Sequence, residues 1–378
     1  MRDGYHAMAE VLSNRALNRA TLSRQLLLER ATISTLEAIG HLVGLQAQSP
    51  FSPYYGLWSR LRDFRASHLV DLLKERDVVR VVLMRGTVHM VTARDCRSLR
   101  RLVQSVMERD LRVNTEHGKA LEGLDHKAFV QIAKQVLSGP PLGVKELGVR
   151  LQEQWPTRSP VSLAYAARDL LCLVQTPPRA VWGRSGTPRL TTADAWLGPE
   201  AAACTMTLST LVLRYLSAFG PASIRDLQTW SGLTHLSEVV NRLGGQLRKF
   251  QSEDGAELYD TDDAPRPAAD TPAPVRLVAP FDNLLLSHLD RARVMSERVR
   301  TLLFSQKNGS IPGAVLVDGF VSGSWSLVKK RRKTVLTIKA FTRFSRSAQA
   351  ELEHEVKRLL EQTAAPGATT DYQLVNGG

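Results

Sequence analysis

Cysteine is scarce in this sequence. The chain has three cysteines, Cys96, Cys172 and Cys204, and they lie far apart. An odd and scattered set argues against a disulfide framework and against the paired C-x-x-C ligands of a zinc site. The nine histidines also lack H-E-x-x-H or clustered ligand spacing. We therefore expect buried free thiols and no metal site.

Long apolar runs are missing as well. No stretch approaches the roughly 18 apolar residues of a membrane-spanning helix. The first residues, MRDGYHAMAEVLSN, contain neither an unbroken apolar segment nor a small-residue cleavage site. From these absences we expect a cytoplasmic protein with no membrane partner.

Acidic residues are outnumbered by basic ones. Lys and Arg total 50 against 37 Asp and Glu, which gives a net charge of +13 and a pI near 10.0. Such a surface attracts polyanions and favours nucleic acid as the partner. A membrane surface, or basic side chains that are merely solvated, are the alternatives. A chain of 378 residues is long enough for two or three domains.

The sequence does contain a repeated pattern. SGPPLGVKELGVRL (138–151) and AFGPASIRDLQTW (218–230) each follow a helical segment, pass through Gly-Pro and lead into further helical segments. Short strand-like runs with glycine turns come next. Helix, turn, helix, helix and β-hairpin is the winged-helix order. The first hundred residues allow the same interpretation, and coincidence in an α-rich chain is the alternative.

We therefore predict an α+β fold that is mainly α, with small β-hairpins and a C-terminal β-rich part. It would consist of three tandem winged-helix modules at residues 1–108, 109–200 and 201–378. The third module includes a Pro- and Ala-rich linker at 261–274. Three short strands follow, with KKRRK (329–333) at the tip of the last hairpin, and a helix closes the chain.

The segment GLQAQSP (44–50) interrupts a predicted helix. Ser34, followed three residues later by Glu37, is a capping box, so a helix should begin at Thr35. Pro50 disfavours helical backbone at the residue before it. We therefore expect the helix to fray by Gln46 and the chain to continue in an extended conformation.

Two glutamines in that segment are candidate functional residues. In an extended chain residues two apart share a side, so the carboxamides of Gln46 and Gln48 can converge. Amides can hold and orient a water molecule, but they cannot take its proton as a carboxylate would. They suit a reaction that needs little base, such as excision of a positively charged N7-alkylpurine. The alternative is that both are polar residues at a helix end.

Four motifs carry a resemblance to a known family. In chain order they are GLQAQSP (44–50), VLMRGTVHMVTARD (82–95), APFDNLLLSHLDRARV (279–294) and VLVDGFVSGSWS (315–326). In this order and spacing they resemble the bacterial winged-helix DNA glycosylases of the AlkZ and YcaQ type, over nearly the whole chain. Each motif alone is weak, and together they are fairly specific for the superfamily.

The resemblance implies three winged-helix modules in a C shape, with a basic concave face for duplex DNA and no metal or organic cofactor. It assigns the hydrolytic step to the Q-x-Q motif, here Gln46 and Gln48. The Q-x-Q form is associated with the AlkZ branch, which unhooks interstrand crosslinks, whereas the YcaQ branch has Asp at the second position. The implied partner is duplex DNA containing alkylated purines or crosslinks, in the bacterial nucleoid.

The resemblance also implies a β-hairpin that enters the DNA groove. Our candidate is the basic tip formed by Lys329, Lys330, Arg331, Arg332 and Lys333. Adjacent cations would contact phosphates and make binding salt dependent; a solubilising turn is the alternative. Arg85, Thr87 and His89 alternate onto one face of a strand-like segment, so we predict that they line the cleft near the glutamines. His89 is equally interpretable as a core histidine. Four polar residues of the third motif are interpreted as structural: Asp282, Asn283, His288 and Arg291.

These observations predict a monofunctional DNA glycosylase, because no lysine Schiff base is indicated, so that the product is an abasic site in an unbroken strand. A base tethered to both strands cannot swing free, so attack on a lesion still within the duplex is expected. The absence of heptads favours a monomer. The alternatives are a non-catalytic winged-helix transcriptional regulator and a protein that sequesters a DNA-damaging drug.

Overall fold

The computed structural model describes residues 10–199, 205–306, 309–330, 333–364 and 367–376. Helices dominate and the strands form small sheets, so the predicted α+β class is confirmed. Within the described ranges, every helix is too short or too polar to span a bilayer. The boundaries predicted at residues 108 and 200 stay predictions.

The winged-helix order is present in the first hundred residues. A short strand and a helix, β1 (Glu10–Leu12) and α1 (Asn14–Arg24), precede it. The repeat itself comprises α2 (Thr35–His41), β2 (Leu45–Gln46), α3 (Ser52–Arg60), α4 (Ala66–Glu75), β3 (Val78–Val82) and β4 (Val88–Thr92). Its strands lie in the order β2-β4-β3, and the loop between β3 and β4 is the wing.

The same order recurs in the second repeat. Three connecting helices lead into it: α5 (Ala93–Leu102), α6 (Gln104–Val113) and α7 (Gly118–Leu121). The repeat comprises α8 (His126–Val136), β5 (Leu142–Gly143), α9 (Val144–Gln152), α10 (Pro160–Leu170), β6 (Leu173–Gln175) and β7 (Arg189–Thr192), and α11 (Ala193–Leu197) follows it.

The third repeat has a reduced first strand. It comprises α12 (Leu208–Phe219), α13 (Ile224–Ser231), α14 (Ser237–Leu243), β8 (Arg248–Ser252) and β9 (Glu257–Asp260). A single bridge between Ala222 and Tyr259 takes the place of the strand between the first two helices. Residues 261–274, predicted as a linker, contain no helix or strand.

The C-terminal part is a five-stranded sheet with two helices. Its elements are β10 (Arg276–Val278), α15 (Glu297–Leu303), β11 (Gly313–Val317), β12 (Phe320–Lys330), β13 (Lys333–Ala340), α16 (Arg346–Thr363) and β14 (Thr369–Asn376). The prediction that a helix closes the chain was wrong, because β14 follows α16 and pairs in parallel with β13. The three predicted strands are β11, β12 and β13.

The first two repeats share one sheet. Its strand order is β2-β4-β3-β6-β7-β5, and the seam between the repeats is the antiparallel pair β3-β6. Arg80 lies opposite Gln175, and Val81 lies opposite Val174. Because the seam is made of main-chain hydrogen bonds, the second repeat directly supports the strands that carry the glutamine segment.

The third repeat is tied to the first through side chains. The wing of the first repeat and the helices of the third pack in one apolar cluster, which includes Met84, Tyr215 and Trp230. The N-terminal strand β1 pairs in parallel with β8. The glutamine segment therefore lies where the first repeat meets both of the others.

Candidate active site

The helix that precedes the glutamines begins at the predicted residue and ends before the glutamine segment. Ser34 Oγ accepts the Glu37 amide at 3.2 Å and Glu37 Oε2 accepts the Ser34 amide at 2.8 Å, so the capping box is confirmed. The last helical residue is His41 and Gln46 lies in a strand, so the expectation that the helix ends by Gln46 and gives way to extended backbone is confirmed. Left-handed backbone at Val43 and Gly44, with φ of 53° and 90°, reverses the chain before Pro50 has any influence.

The glutamines follow this reversal in extended backbone. β2 pairs with β4 so that Gln46 lies opposite His89, and the next residue continues the ladder through its amide, which donates to the Val88 carbonyl at 2.7 Å. Residues two apart on a strand face the same side, so Gln46 and Gln48 share one face. Gln46 is buried and Gln48 is exposed. The pair thus extends from the interior to the surface.

The carboxamide of Gln46 is oriented by an arginine. Arg85 Nη2 donates to Gln46 Oε1 at 3.0 Å. A guanidinium has only donors, so the group that faces it must be the amide oxygen. The Gln46 NH2 group has no hydrogen-bond partner among the residues the structure describes. Its two N–H bonds are therefore available to a ligand.

The carboxamide of Gln48 is oriented by the main chain. Its Oε1 accepts the Val88 amide at 3.3 Å. In a regular ladder this amide would bond the Ala47 carbonyl, which instead accepts from Arg80 Nη2 at 2.7 Å. Both glutamines thus have their oxygen held by the protein, and the NH2 group of Gln48 also lacks a partner within the described ranges.

Arg85 faces the interior of the protein. Its guanidinium also donates to the Trp230 carbonyl and lies 3.5 Å from Asn283 Oδ1. Burial and the charge of Arg291 lower the pKa of Arg85 to about 10. Arg85 has φ of 58°, so it lies in the wing turn and not in a strand. The predicted strand alternation therefore fails at this residue, although the predicted proximity to Gln46 holds in the structure.

Asn283, interpreted from the sequence as structural, lies directly beside the glutamine segment. Its Nδ2 donates to the Gly44 carbonyl at 3.3 Å, and its Oδ1 faces Arg85. Its neighbour Asp282 forms a fully buried pair with Arg60, at 2.8 Å for both oxygens. The signal available in the sequence was a polar Asp-Asn pair directly before the apolar residues of the third motif.

His89 is a buried neutral imidazole. Its Nδ1 lies 2.9 Å from the Thr87 carbonyl, which leaves Nε2 as an acceptor without a partner in the described part of the chain. Burial, reinforced by the charge of Arg85, lowers the pKa of His89 to about 3. The Thr87 hydroxyl donates to the Met84 carbonyl at 3.0 Å within the wing turn. DNA contacts by Arg85, Thr87 and His89 stay predictions, and the contacts of Arg85 and His89 with the protein interior argue against them for those two residues.

The basic hairpin is described only in part. Lys329 Nζ lies 4.3 Å from the centroid of the Trp182 ring, and burial lowers the pKa of Lys329. Lys333 Nζ lies 3.0 Å from Asp371 Oδ2. Arg331 and Arg332 lie outside the described residues, as does the side chain of Lys330. A DNA-binding role for the hairpin stays a prediction.

The glutamines contact a cation, the Arg85 guanidinium, but no acidic side chain that the structure describes. Across the described ranges, no hydrogen bond joins a carboxylate to Gln46 or Gln48, and no group of three or more His, Cys, Asp or Glu side chains could hold a metal. Two of the three cysteines, Cys96 and Cys172, are free thiols; Cys204 is not among the described residues. The arrangement can donate hydrogen bonds to a water molecule or a base, but it offers no strong proton acceptor.

Repeated winged helices that support a pair of oriented amides define a class of DNA-associated proteins, and the comparison with known families specifies it. A family model described as DNA glycosylase AlkZ-like matches residues 39–362. The chain therefore belongs to the AlkZ-like family.

Two comparisons with Streptomyces sahachiroi glycosylases agree with this assignment. The solved structure of DNA glycosylase AlkZ superposes with a TM-score of 0.77 at 18% identity, covering 97% of this chain and 100% of that one, which shows the fold. An interstrand DNA cross-link repair glycosylase is 30% identical over 125 residues, or 32% of this chain and 34% of that protein. The chain thus matches about a third of the length of this curated relative.

Proposed function

We propose that the protein is a monofunctional DNA glycosylase. Its substrates would be N7-alkylated purines in duplex DNA, in particular bulky adducts or interstrand crosslinks such as those made by DNA-alkylating natural products. The observation that carries this proposal is the Gln46 and Gln48 pair, held with both NH2 groups free, on the first repeat of an AlkZ-like chain. The relative named for interstrand crosslink repair supports the substrate class.

The chemistry fits a site without a base. An N7-alkylated purine carries a positive charge, so it leaves as a neutral molecule when the C1′–N9 bond breaks and its electrons go to the purine. The water oxygen then forms the new C1′–O bond, and its proton passes to solvent. A glutamine N–H group can hold the water through one of its lone pairs, which leaves the other lone pair to attack C1′ as the sugar develops positive charge. The product is an abasic site in an unbroken strand.

The DNA partner is supported by charge. The net charge of +13 favours binding of a polyanion, and the hairpin at 329–333 carries five cations in sequence. We assign this hairpin to the DNA and propose that the protein acts as a monomer.

The competing function is a transcriptional regulator without catalysis. Such proteins read bases with the second helix of the helix-turn-helix. In the second repeat this helix is α10, and Val161 is its only exposed residue. A helix buried in this way cannot present side chains to a DNA groove, so the second repeat favours the glycosylase, whereas the corresponding helices α4 and α14 each keep an exposed face.

The test is base release from defined lesions. The purified protein is incubated with duplex DNA that carries one N7-methylguanine or one nitrogen-mustard crosslink, and free purine is measured by mass spectrometry. We expect release by the parent protein and a loss of at least about 100-fold for Gln46→Ala and Gln48→Ala, with DNA affinity retained. The matched control is Gln251→Ala, which changes an exposed glutamine of β8 and should keep the parent rate. Equal rates for all variants would show that the glutamines are not the catalytic residues.

A further inference from the structure

The structure places a partly buried arginine against one of the two glutamines, and the contact suggests what this arginine does. We propose that Arg85 is a positioning residue: it holds the Gln46 carboxamide oxygen so that the NH2 group faces the substrate, and it does not itself bind DNA. The inference rests on the proposed function, because Gln46 must take part in hydrolysis for its orientation to matter.

The orientation of Gln46 depends on its partner. The terminal torsion of a glutamine side chain is soft, and its oxygen and NH2 group are similar in size. Without a fixed donor the carboxamide can turn over and present its oxygen. Arg85 Nη2, at 3.0 Å from Gln46 Oε1, excludes that orientation because two groups without acceptor atoms would then face each other.

The position of Arg85 depends on the third repeat and on the segment after β10. One nitrogen donates to the Trp230 carbonyl, and the other lies 3.5 Å from Asn283 Oδ1. Asn283 in turn donates to the Gly44 carbonyl, two residues before Gln46. The arginine and the glutamine segment are therefore anchored to the same residue, which fixes their relative position.

A phosphate contact would use a different arrangement. Arginines that bind DNA phosphates keep their guanidinium exposed to the groove. The guanidinium of Arg85 instead faces three acceptors of the protein itself, in Gln46, Trp230 and Asn283. An added Cβ at Gly232 would lie 3.4 Å from the Arg85 amide nitrogen, so the turn around this residue is closely packed.

With Arg85 in place, the two glutamines can only donate hydrogen bonds to a ligand and cannot accept them. Gln48 has its oxygen held by the Val88 amide, so with Arg85 in place both carboxamides present N–H groups. Such a pair binds acceptors: one lone pair of the attacking water molecule, whose other lone pair stays free for C1′, and the ring or carbonyl atoms of the departing purine. Loss of Arg85 should impair the chemical step and leave DNA binding intact.

The experiment is a double-mutant cycle with two readouts. Arg85→Met, Gln46→Ala and the double variant are compared with the parent for single-turnover base release and for DNA affinity over a range of salt concentrations. We expect Arg85→Met to lower the single-turnover rate by about 10- to 100-fold and to add nothing in the Gln46→Ala background, because both changes remove the same function. The salt dependence of affinity should not change.

Two further variants test whether a lower rate of Arg85→Met reflects a loss of folding. Arg85→Lys retains a charge and a donor on a shorter side chain, and we expect a rate between those of the parent and Arg85→Met. Arg276→Met removes another arginine, which is buried and donates to main-chain carbonyls, at Leu27 and Leu28. It should lower thermal stability and leave the rate at saturating enzyme unchanged.

The outcomes separate the proposals. A salt slope lower by about 1 for Arg85→Met would identify a phosphate contact and overturn the inference. An additive loss of rate in the double variant would also overturn it, because it would mean that Arg85 acts independently of Gln46. If the parent itself releases no base, the proposed function fails, and the salt slope still decides whether Arg85 binds DNA.

Discussion

The side chain of Gln48 takes the place of a main-chain carbonyl opposite Val88. Its Oε1 accepts the Val88 amide at 3.3 Å, while the displaced carbonyl of Ala47 is bound by Arg80 at 2.7 Å. Arg80 is buried, and its other nitrogen binds Gln175 at 2.6 Å across the seam between the first two repeats. The geometry of this glutamine thus depends on a contact with the second repeat, just as that of Gln46 depends on the third.

Replacing each glutamine by the isosteric glutamate should separate their roles. Gln46→Glu keeps an oxygen for Arg85 but has no N–H donor, so we expect base release to fall by at least about 100-fold. Gln48→Glu also loses its N–H donor, but it keeps an oxygen for Val88 and adds a carboxylate that can take the proton of the attacking water, which the amide cannot do. We expect it to retain activity and to acquire an acid limb in its pH–rate profile as the carboxylate is protonated.

The measurement is single-turnover base release from pH 4 to pH 8. The parent should show no such limb, since neither of its amides titrates. Full activity of Gln46→Glu would contradict the donor role of its NH2 group.

Gly44 and Gly86 should differ in how much an added side chain destabilises the fold. A Cβ at Gly44, where φ is +90°, would lie 2.6 Å from Val91 Cγ1 and 3.0 Å from the Met90 carbonyl oxygen. Gly86, with φ of +69°, has nothing within 4 Å. We expect Gly44→Ala to lower the free energy of unfolding by more than about 2 kcal/mol, because strain and overlap add.

Gly86→Ala is the control, with an expected cost of about 1 kcal/mol from its left-handed backbone alone. Urea unfolding checks both values. Equal losses would mean that the contact with Val91 relaxes without cost.

The buried His89 should make the fold less stable in acid. The folded-state pKa is about 3, below the ordinary value of 6.5, because burial and Arg85 disfavour the charged ring. The unfolded chain therefore binds the proton first. The stabilising contribution is complete above pH 6.5 and is lost as the pH falls towards 3, by about 1.4 kcal/mol per pH unit.

His89→Gln removes this titration, and its free energy of unfolding should fall less steeply than that of the parent between pH 6 and pH 4, by about 1.4 kcal/mol per pH unit. Urea titrations at several pH values test the difference. Parallel curves would show that His89 becomes protonated in the folded protein.

The basic hairpin should contribute to DNA affinity through charge. Replacing Lys329 and Lys333 by Gln should weaken binding and lower the slope of log affinity against log salt by up to about 2, because each phosphate contact releases about one counterion. Lys127 and Lys134, exposed on α8, serve as a matched pair. Fluorescence anisotropy over a salt series measures both pairs. A slope that changes equally for the two pairs would assign the effect to net charge and not to the hairpin.

Local features of the site could be predicted from the sequence, and distant ones could not. The capping box at Ser34 uses residues three apart, and the strand-like segment around His89 follows from alternation, so both were found. The sequence predicted that the helix ends by Gln46 but not that His41 is its last residue, because Val43 adopts left-handed backbone, which its side chain gives no reason to expect.

The role of Arg85 was missed for a different reason. Its partners Trp230 and Asn283 are 145 and 198 residues away, and no periodicity links such positions. From the sequence, Arg85 was predicted to line the DNA-binding cleft near the glutamines. Only the packing of the third repeat against the first reveals that its donors face the protein interior.

The contacts of α1 impose an order on biosynthesis. Residues 14–24 leave the ribosome early, yet Arg24 is paired with Asp260 and Arg19 with Asp318. Until those carboxylates have been translated, the two arginines lack the anions that neutralise them once they are buried. Domains usually fold as they emerge, from the N-terminus onward. This helix instead can take its final place only after residue 318 has been translated, although its own residues are among the first to be made.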